Sequence, residues 1–140
     1  MNFRAMTQQD IDFVAEHGIH KGVLKNQPDC LNYDYCLEHQ NKVLVIGGMK
    51  LINHTTAIGW IALTCWSGEY IVEVYRTVKV WMDDMAKTLG IRCLMAFVDT
   101  GFEEGERTVL HLGFERQCRV KNFSDDSPAD LWIKTFEVSQ

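Results

Sequence analysis

Residues 62–75 read ALTCWSGEYIVEVY, a strand-like run that ends in Thr64-Cys65-Trp66-Ser67-Gly68 and passes directly into a helical pattern. A strand, a tight turn and a helix start bring free amides and the positive end of a helix dipole together. Many proteins hold a phosphate that way. This turn has one glycine, Gly68, and no lysine or arginine. Its geometry suits an anion, but its side chains add no charge to hold one. Glu69 and Glu73 follow, one helical turn apart. Paired carboxylates can raise one pKa toward that of a general base. Acidic side chains at a solvated helix start also complement the dipole, which is the plainer role. Cys65 adjoins the turn, where a thiol can ionise easily. No histidine lies near it in sequence, so packing is the simpler assignment. Asp99 follows an apolar run and is a candidate substrate contact, a helix N-cap or a loop acid. Cys30, Cys36 and His39, with His17 and His20, have the spacing of no tight zinc knuckle, and no metal site is expected. Trp60, Trp66, Tyr70 and Tyr75 gather about the junction. They can stack on a base, but without flanking lysines core packing is the simpler reading.

The elements that must position these groups are drawn from 140 residues, 46% of them hydrophobic, with a formal charge of -5. One domain with a real core is expected over 1–140. The acidic balance and the scattered basic residues argue against a nucleic-acid partner. No apolar run approaches the roughly 18 residues of a membrane span, and MNFRAMTQQD is no signal peptide. A soluble, cytoplasmic protein is expected. The five cysteines are odd in number and scattered, which fits reduced thiols. Cys93 and Cys118 lie in strand-like runs and read as small core residues.

A short strand is expected at 2–6, and a helix from the Thr7 cap to Gly18, with Asp10 completing a capping box. The segment 19–40 holds Pro28, Asp29 and Asn32 and has room for a short second helix. KVLVIGGMKLI (42–52) and AIGWIALTCW (57–66) read as a hairpin. Its Gly47-Gly48 pair marks either a bulge or a close backbone approach. Ile71, Val74, Tyr75, Val78, Trp81, Met82, Met85 and Leu89 repeat at three and four, predicting a helix over 69–89 with Gly90 as its cap. IRCLMAFV (91–98) reads as a buried strand. A helix over 103–112 ends at Gly113, and strands at 114–120 and 131–138 flank a turn-rich connector. Strand, helix, strand over 57–98 is a right-handed crossover.

In element order nearly the whole chain resembles the GNAT superfamily of acyl-CoA-dependent N-acyltransferases. FRAMTQQDIDFV is similar to the family's first strand and helix. IGWIAL resembles its fourth strand, and VLHLGFE (109–115) its Leu-Gly-Phe signature. The resemblance implies an α+β fold of the three-layer α/β type, with a mixed, mostly antiparallel sheet flanked by helices. It implies acetyl-CoA as cofactor and a primary amine as acceptor. The family's cofactor loop carries Arg or Gln, two residues, Gly, one residue, then Gly or Ala. The matching stretch here, Thr64 to Tyr70, keeps Gly68 and adds Glu69. The resemblance places the acetyl carbonyl against amides near Leu63 and Thr64. The cofactor phosphates fall against Trp66, Ser67, Gly68, Glu69 and Tyr70, with Cys65 beside them. Glu73 or Glu69, or water, would take the amine's proton. The family's tyrosine acid falls at Val109 and its asparagine at Phe102, and neither residue can do that chemistry. His111 stands two residues from Gly113, about 200° round the helix. One branch also resembles this chain: the GNAT-like proteins of tailed phages, including internal virion proteins of short-tailed coliphages, which need not be enzymes. Two readings therefore stand. One is an N-acetyltransferase with a degenerate cofactor loop. The other is a catalytically inactive GNAT-fold phage protein acting in virion assembly or host interaction, in the host cytoplasm or the virion. A protein partner and a homodimer are compatible with either.

Overall fold

The computed structural model describes residues 1–19, 33–124 and 127–137. Seven strands run through them: β1 (Asn2–Arg4), β2 (Tyr33–His39), β3 (Lys42–Leu51), β4 (Thr56–Leu63), β5 (Cys93–Asp99), β6 (Glu115–Ser124) and β7 (Ser127–Thr135). Three helices accompany them among the described residues: α1 (Gln8–His17), α2 (Ile71–Leu89) and α3 (Glu103–His111), with a 3₁₀ turn over Ser67–Tyr70 leading into α2. The hydrogen-bonded strand order is β1-β2-β3-β4-β5-β7-β6. β4 runs parallel to β5 over Thr56–Ile58 and Cys93–Met95. The pairs β1–β2, β2–β3, β5–β7 and β6–β7 are antiparallel. This is the α+β architecture, with a mixed and mostly antiparallel sheet, that the sequence leads one to expect. The chain forms two compact units: Met1–Lys50 with Gly59–Arg76, and Leu51–Ile58 with Thr77–Gln140.

In the first unit, Thr7 starts α1 through a complete capping box with Asp10. Val14, Cys36, Val43, Ile46 and Ala62 form a buried cluster, with Met6, Ile11, Phe13 and Trp60 packed against it. β2 and β3 are joined through Gln40 (φ 52°) and Asn41 (φ 63°). Left-handed values at both central residues match the twist of a two-residue hairpin. β2 is absent from the sequence expectation. Its aromatic residues alternate, Tyr33 and Tyr35, but Tyr35, Cys36 and Leu37 are all buried, so no period of two is visible in its middle. The short helix expected within 19–40 falls mostly on residues outside those described. Of the two roles offered for Gly47-Gly48, close approach is the one realised. The β2–β3 register shift lies instead between Leu37 and Glu38. Gly18 ends α1 in an extended conformation (φ -67°, ψ 144°), not in a left-handed cap. It bridges to Thr64.

In the second unit, Val78, Met82 and Ala86 bury one stripe of α2. Gly90 (φ 74°) closes the helix as expected. Leu94, Ala96 and Val98 are the buried residues of β5, and Trp132 is buried opposite Ala96. The Lys134 ammonium donates to the Leu112 carbonyl at 2.8 Å and pairs with Asp83 at 3.0 Å. A carbonyl at the end of α3 thus gains a cation. The connector expected over 121–130 is largely strand. β6, expected over 114–120, is an exposed edge strand that runs on to Ser124, and polar residues on both of its faces hide that extension.

Candidate functional site

The turn after β4 is fixed from inside. Thr64 is fully buried. Its amide donates to the Leu44 carbonyl at 3.0 Å. Its hydroxyl donates to the carbonyl of Val43 at 2.7 Å. The Ile19 amide donates to the Leu63 carbonyl at 2.9 Å, and the Cys65 amide to that of His17 at 3.2 Å. Ser67, also buried, donates to the Thr64 carbonyl through its amide at 3.1 Å and its hydroxyl at 2.8 Å. The amides of Thr64, Cys65 and Ser67 therefore shape the turn and are spent on it.

Trp66 and Gly68 differ. Among the described residues their amides donate to no partner outside the 3₁₀ turn. A Cβ placed on Gly68 would meet nothing within 4 Å, so this part of the turn faces open space. Glu69 and Glu73 are exposed at the start of the helical segment. The Trp66 indole is drawn toward α1, with ring centroids 4.7 Å from His17 and 5.4 Å from Phe13. The half-buried Tyr70 meets His39 edge-on at 4.8 Å. His17 and His39 thus pack against aromatic rings, and His20 and Cys30 lie outside the described residues.

Sequence reasoning missed one residue beside this turn. The ammonium of Lys42 lies over the Trp66 ring, 5.0 Å from its centroid. Lys42 is the first residue of β3, and the β3–Thr64 hydrogen bonds bring that strand end to the turn. Twenty-odd positions of sequence separate them, and only the pairing of the strands gives the signal. A positive charge thus reaches the Trp66 side chain from a neighbouring hairpin.

Asp99 lies in the second unit, as the last residue of β5, paired with Ala129. Its carbonyl accepts the Phe102 amide at 3.0 Å. The N-cap of α3 is Phe102, with no side-chain capping bond, so the capping alternative for Asp99 is not realised. Val109 is buried. Phe102 packs so closely that a Cβ on Gly105 would meet its ring at 2.5 Å.

The thiols divide by exposure. Cys36 is buried, and burial, followed by the nearby Asp10 charge, pushes its pKa up to about 12. Cys65 is exposed. Cys118, expected in a core, is exposed on the edge strand, and Cys93 is intermediate. Peptide-mapped alkylation of the native protein at pH 8 should label Cys65 and Cys118 before Cys93 and leave Cys36 untouched until the chain unfolds. Early labelling of Cys36 would contradict its place in the core.

No protein-family model and no curated protein matches the chain. Solved structures do. Over 98% of its length it resembles 98% of Ard1 from Thermoplasma volcanium, with a TM-score of 0.75 at 14% identity. Over 99% it resembles 96% of the ribosomal-protein-S18-alanine N-acetyltransferase from Escherichia coli, with a TM-score of 0.73 at 13% identity. Over 97% it resembles 94% of Salmonella typhimurium yncA, whose structure was solved with its cofactor acetyl-CoA, with a TM-score of 0.68 at 12% identity. Along nearly its whole length, then, the chain has the fold of the GNAT acetyltransferases.

Proposed function

We propose that residues 1–140 form one GNAT-type N-acetyltransferase domain that moves an acetyl group from acetyl-CoA to a primary amine. The observation that carries this reading is the pair of amides at Trp66 and Gly68 that, among the described residues, donate to nothing outside the 3₁₀ turn, beside the bonded amides of Thr64, Cys65 and Ser67. Two backbone donors at a helix start, open space at Gly68 and the Lys42 cation fit a phosphate group. Acetyl-CoA, when bound, supplies an acyl thioester that an amine can attack. The chain's part is to hold and orient. Trp66 and Gly68 donate to anionic oxygen, and Lys42 adds charge. Glu69 and Glu73 are bases exposed to solvent that can take the amine's proton through water. Val109 stands where the resemblance places a general acid, so placement of the reactants must supply much of the rate.

That same substitution, with Phe102 in place of the family's asparagine, favours a second reading: a GNAT-fold protein without catalysis, of the phage kind. Thermal unfolding with added acetyl-CoA separates them from a chain that binds nothing. At a ligand concentration one hundred times Kd, stability should rise by about 2.7 kcal/mol. Lys42→Gln should weaken binding about threefold, as expected for one exposed charge. No rise at saturating acetyl-CoA would remove the donor site. A rise without release of free thiol in the presence of amines would leave the non-catalytic reading.

A further inference from the structure

The second unit carries a polar cluster that the proposed donor turn does not use. Against β7, the register of β6 slips between Arg116 and Cys118, and again between Val120 and Ser124. Arg116 stands opposite Trp132, Cys118 opposite Leu131 and Arg119 opposite Asp130. In an even ladder, residues three apart point to opposite faces. The bulge at Gln117 turns Arg116 and Arg119 onto one face, the face of Asp130 and Trp132.

Asp130 is only 2% exposed. One of its oxygens, Oδ1, accepts from Arg116 Nη2, Arg119 Nε and the Thr100 hydroxyl, each at 3.3 Å. Burial pushes its pKa up, but bonds from Arg119 and the charge of Arg116 outweigh burial and hold it below the usual carboxylate range. The aspartate therefore stays anionic. Two guanidiniums against one carboxylate leave one positive charge in surplus. Both arginine side chains are about half exposed, at 50% and 51%. Each guanidinium has five N–H donors and spends one on Asp130. On the same face the buried indole N–H of Trp132 has no acceptor among the described residues. Buried donors rarely stay unpaired without a reason.

We propose that Arg116 and Arg119, aimed by the bulge and anchored by Asp130, form a binding site for the carboxylate of a small molecule. The surplus of one positive charge matches a carboxylate, whereas a phosphate dianion would leave a negative charge beside Asp130. Paired guanidinium forks suit the planar two-oxygen geometry of a carboxylate. Charges that merely guard an edge strand against pairing need neither a bulge nor a buried carboxylate, which is costly to desolvate.

The test uses the full chain labelled with ¹⁵N and follows the arginine Nε–Hε resonances at constant ionic strength. N-acetylglycine is the probe and N-acetylglycinamide its neutral control. The expected result is saturable movement of the Arg116 and Arg119 resonances, with the amide binding about tenfold more weakly. Both Arg116→Gln and Arg119→Gln should abolish the saturable shift, and Arg116→Lys should restore little of it. Any of three results would overturn the subsite. Neither probe moves the resonances, the amide or chloride moves them equally, or the shift survives in the Arg116→Gln/Arg119→Gln double variant. If acetyl-CoA fails to stabilise the protein while N-acetylglycine still moves both resonances, the donor reading falls and the carboxylate subsite stands.

Discussion

Replacing Asp10 with alanine is expected to cost about 3 kcal/mol of stability, because the change removes one partner of a largely buried ion pair and half of a capping box together. The Asp10 side chain is 5% exposed. It accepts from the two terminal nitrogens of Arg4 at 2.7 and 2.8 Å, a bidentate pair that fixes both groups. It also accepts from the Thr7 amide at 2.8 Å and the Thr7 hydroxyl at 3.0 Å. Alanine would leave Arg4 with Glu38 at 3.0 Å and the Thr7 amide without its carboxylate acceptor, while the Thr7 hydroxyl would still cap the amide of residue 10. Asp10→Asn keeps part of the cap and should cost less. The same bonds set a pH dependence. Bonds from Arg4, opposed by burial and helped by Thr7, hold the Asp10 pKa below its ordinary value. The native state therefore binds its proton later on acidification than the unfolded chain does. The stabilisation is complete above the unfolded carboxylate pKa of about 3.9 and disappears as pH falls through the native value. Asp130 is shifted in the same direction and adds to the effect. Urea unfolding at pH 7 and pH 3 should show a smaller difference for Asp10→Ala than for the parent. An equal difference would mean that Asp10 does not carry this acid sensitivity.

The sequence exposes elements whose burial is one-sided and hides those whose burial is two-sided or absent. α2 is legible because Val74, Val78, Met82 and Ala86 are buried along one stripe while Glu73, Arg76 and Lys79 are exposed. The cap at Gly90 and the box at Thr7 and Asp10 are local chemistry, and they read directly. β2 is hidden by consecutive buried residues, and the end of β6, beyond 120, by largely exposed ones. The turn at 64–70 is half legible. Its place at a strand–helix junction follows from the pattern of residues. Which amides it spends depends on Leu44 and His17, which reach it only through the tertiary fold. Lys42 and the Arg116–Arg119 pair are invisible for the same reason: one depends on strand pairing, the other on a register slip. No propensity or spacing announces either. The GNAT likeness was legible where Leu112-Gly113-Phe114 fix the passage from α3 to β6. There Gly113 needs its left-handed φ of 94°, and Leu112 and Phe114 are buried on either side.

Gly47→Ala and Gly48→Ala are expected to be the most damaging single-methyl changes in the first unit, each costing about 3 kcal/mol by overpacking. A Cβ on Gly47 would run into the Tyr35 ring and approach the Trp60 carbonyl to 2.7 Å. Tyr35 is 2% exposed and stacked on Phe3 at 5.2 Å, so its ring has nowhere to go. A Cβ on Gly48 would meet the Tyr33 carbonyl and come within 3.0 Å of the Asp34 Cα. Those are backbone atoms of the paired strand, and moving them disturbs the β2–β3 register rather than one rotamer. Gly68→Ala is the control. A Cβ there meets nothing within 4 Å, so thermal and urea unfolding should agree with the parent within about 0.5 kcal/mol. The methyl group would, however, stand in the open space before the Gly68 amide. On the proposed reading, acetyl-CoA should therefore stabilise Gly68→Ala less than the parent, although the two start equally stable. If Gly47→Ala and Gly68→Ala lose stability equally, the close approach at Gly47 does not constrain this fold. Equal stabilisation of Gly68→Ala and parent by acetyl-CoA would detach the turn from donor binding.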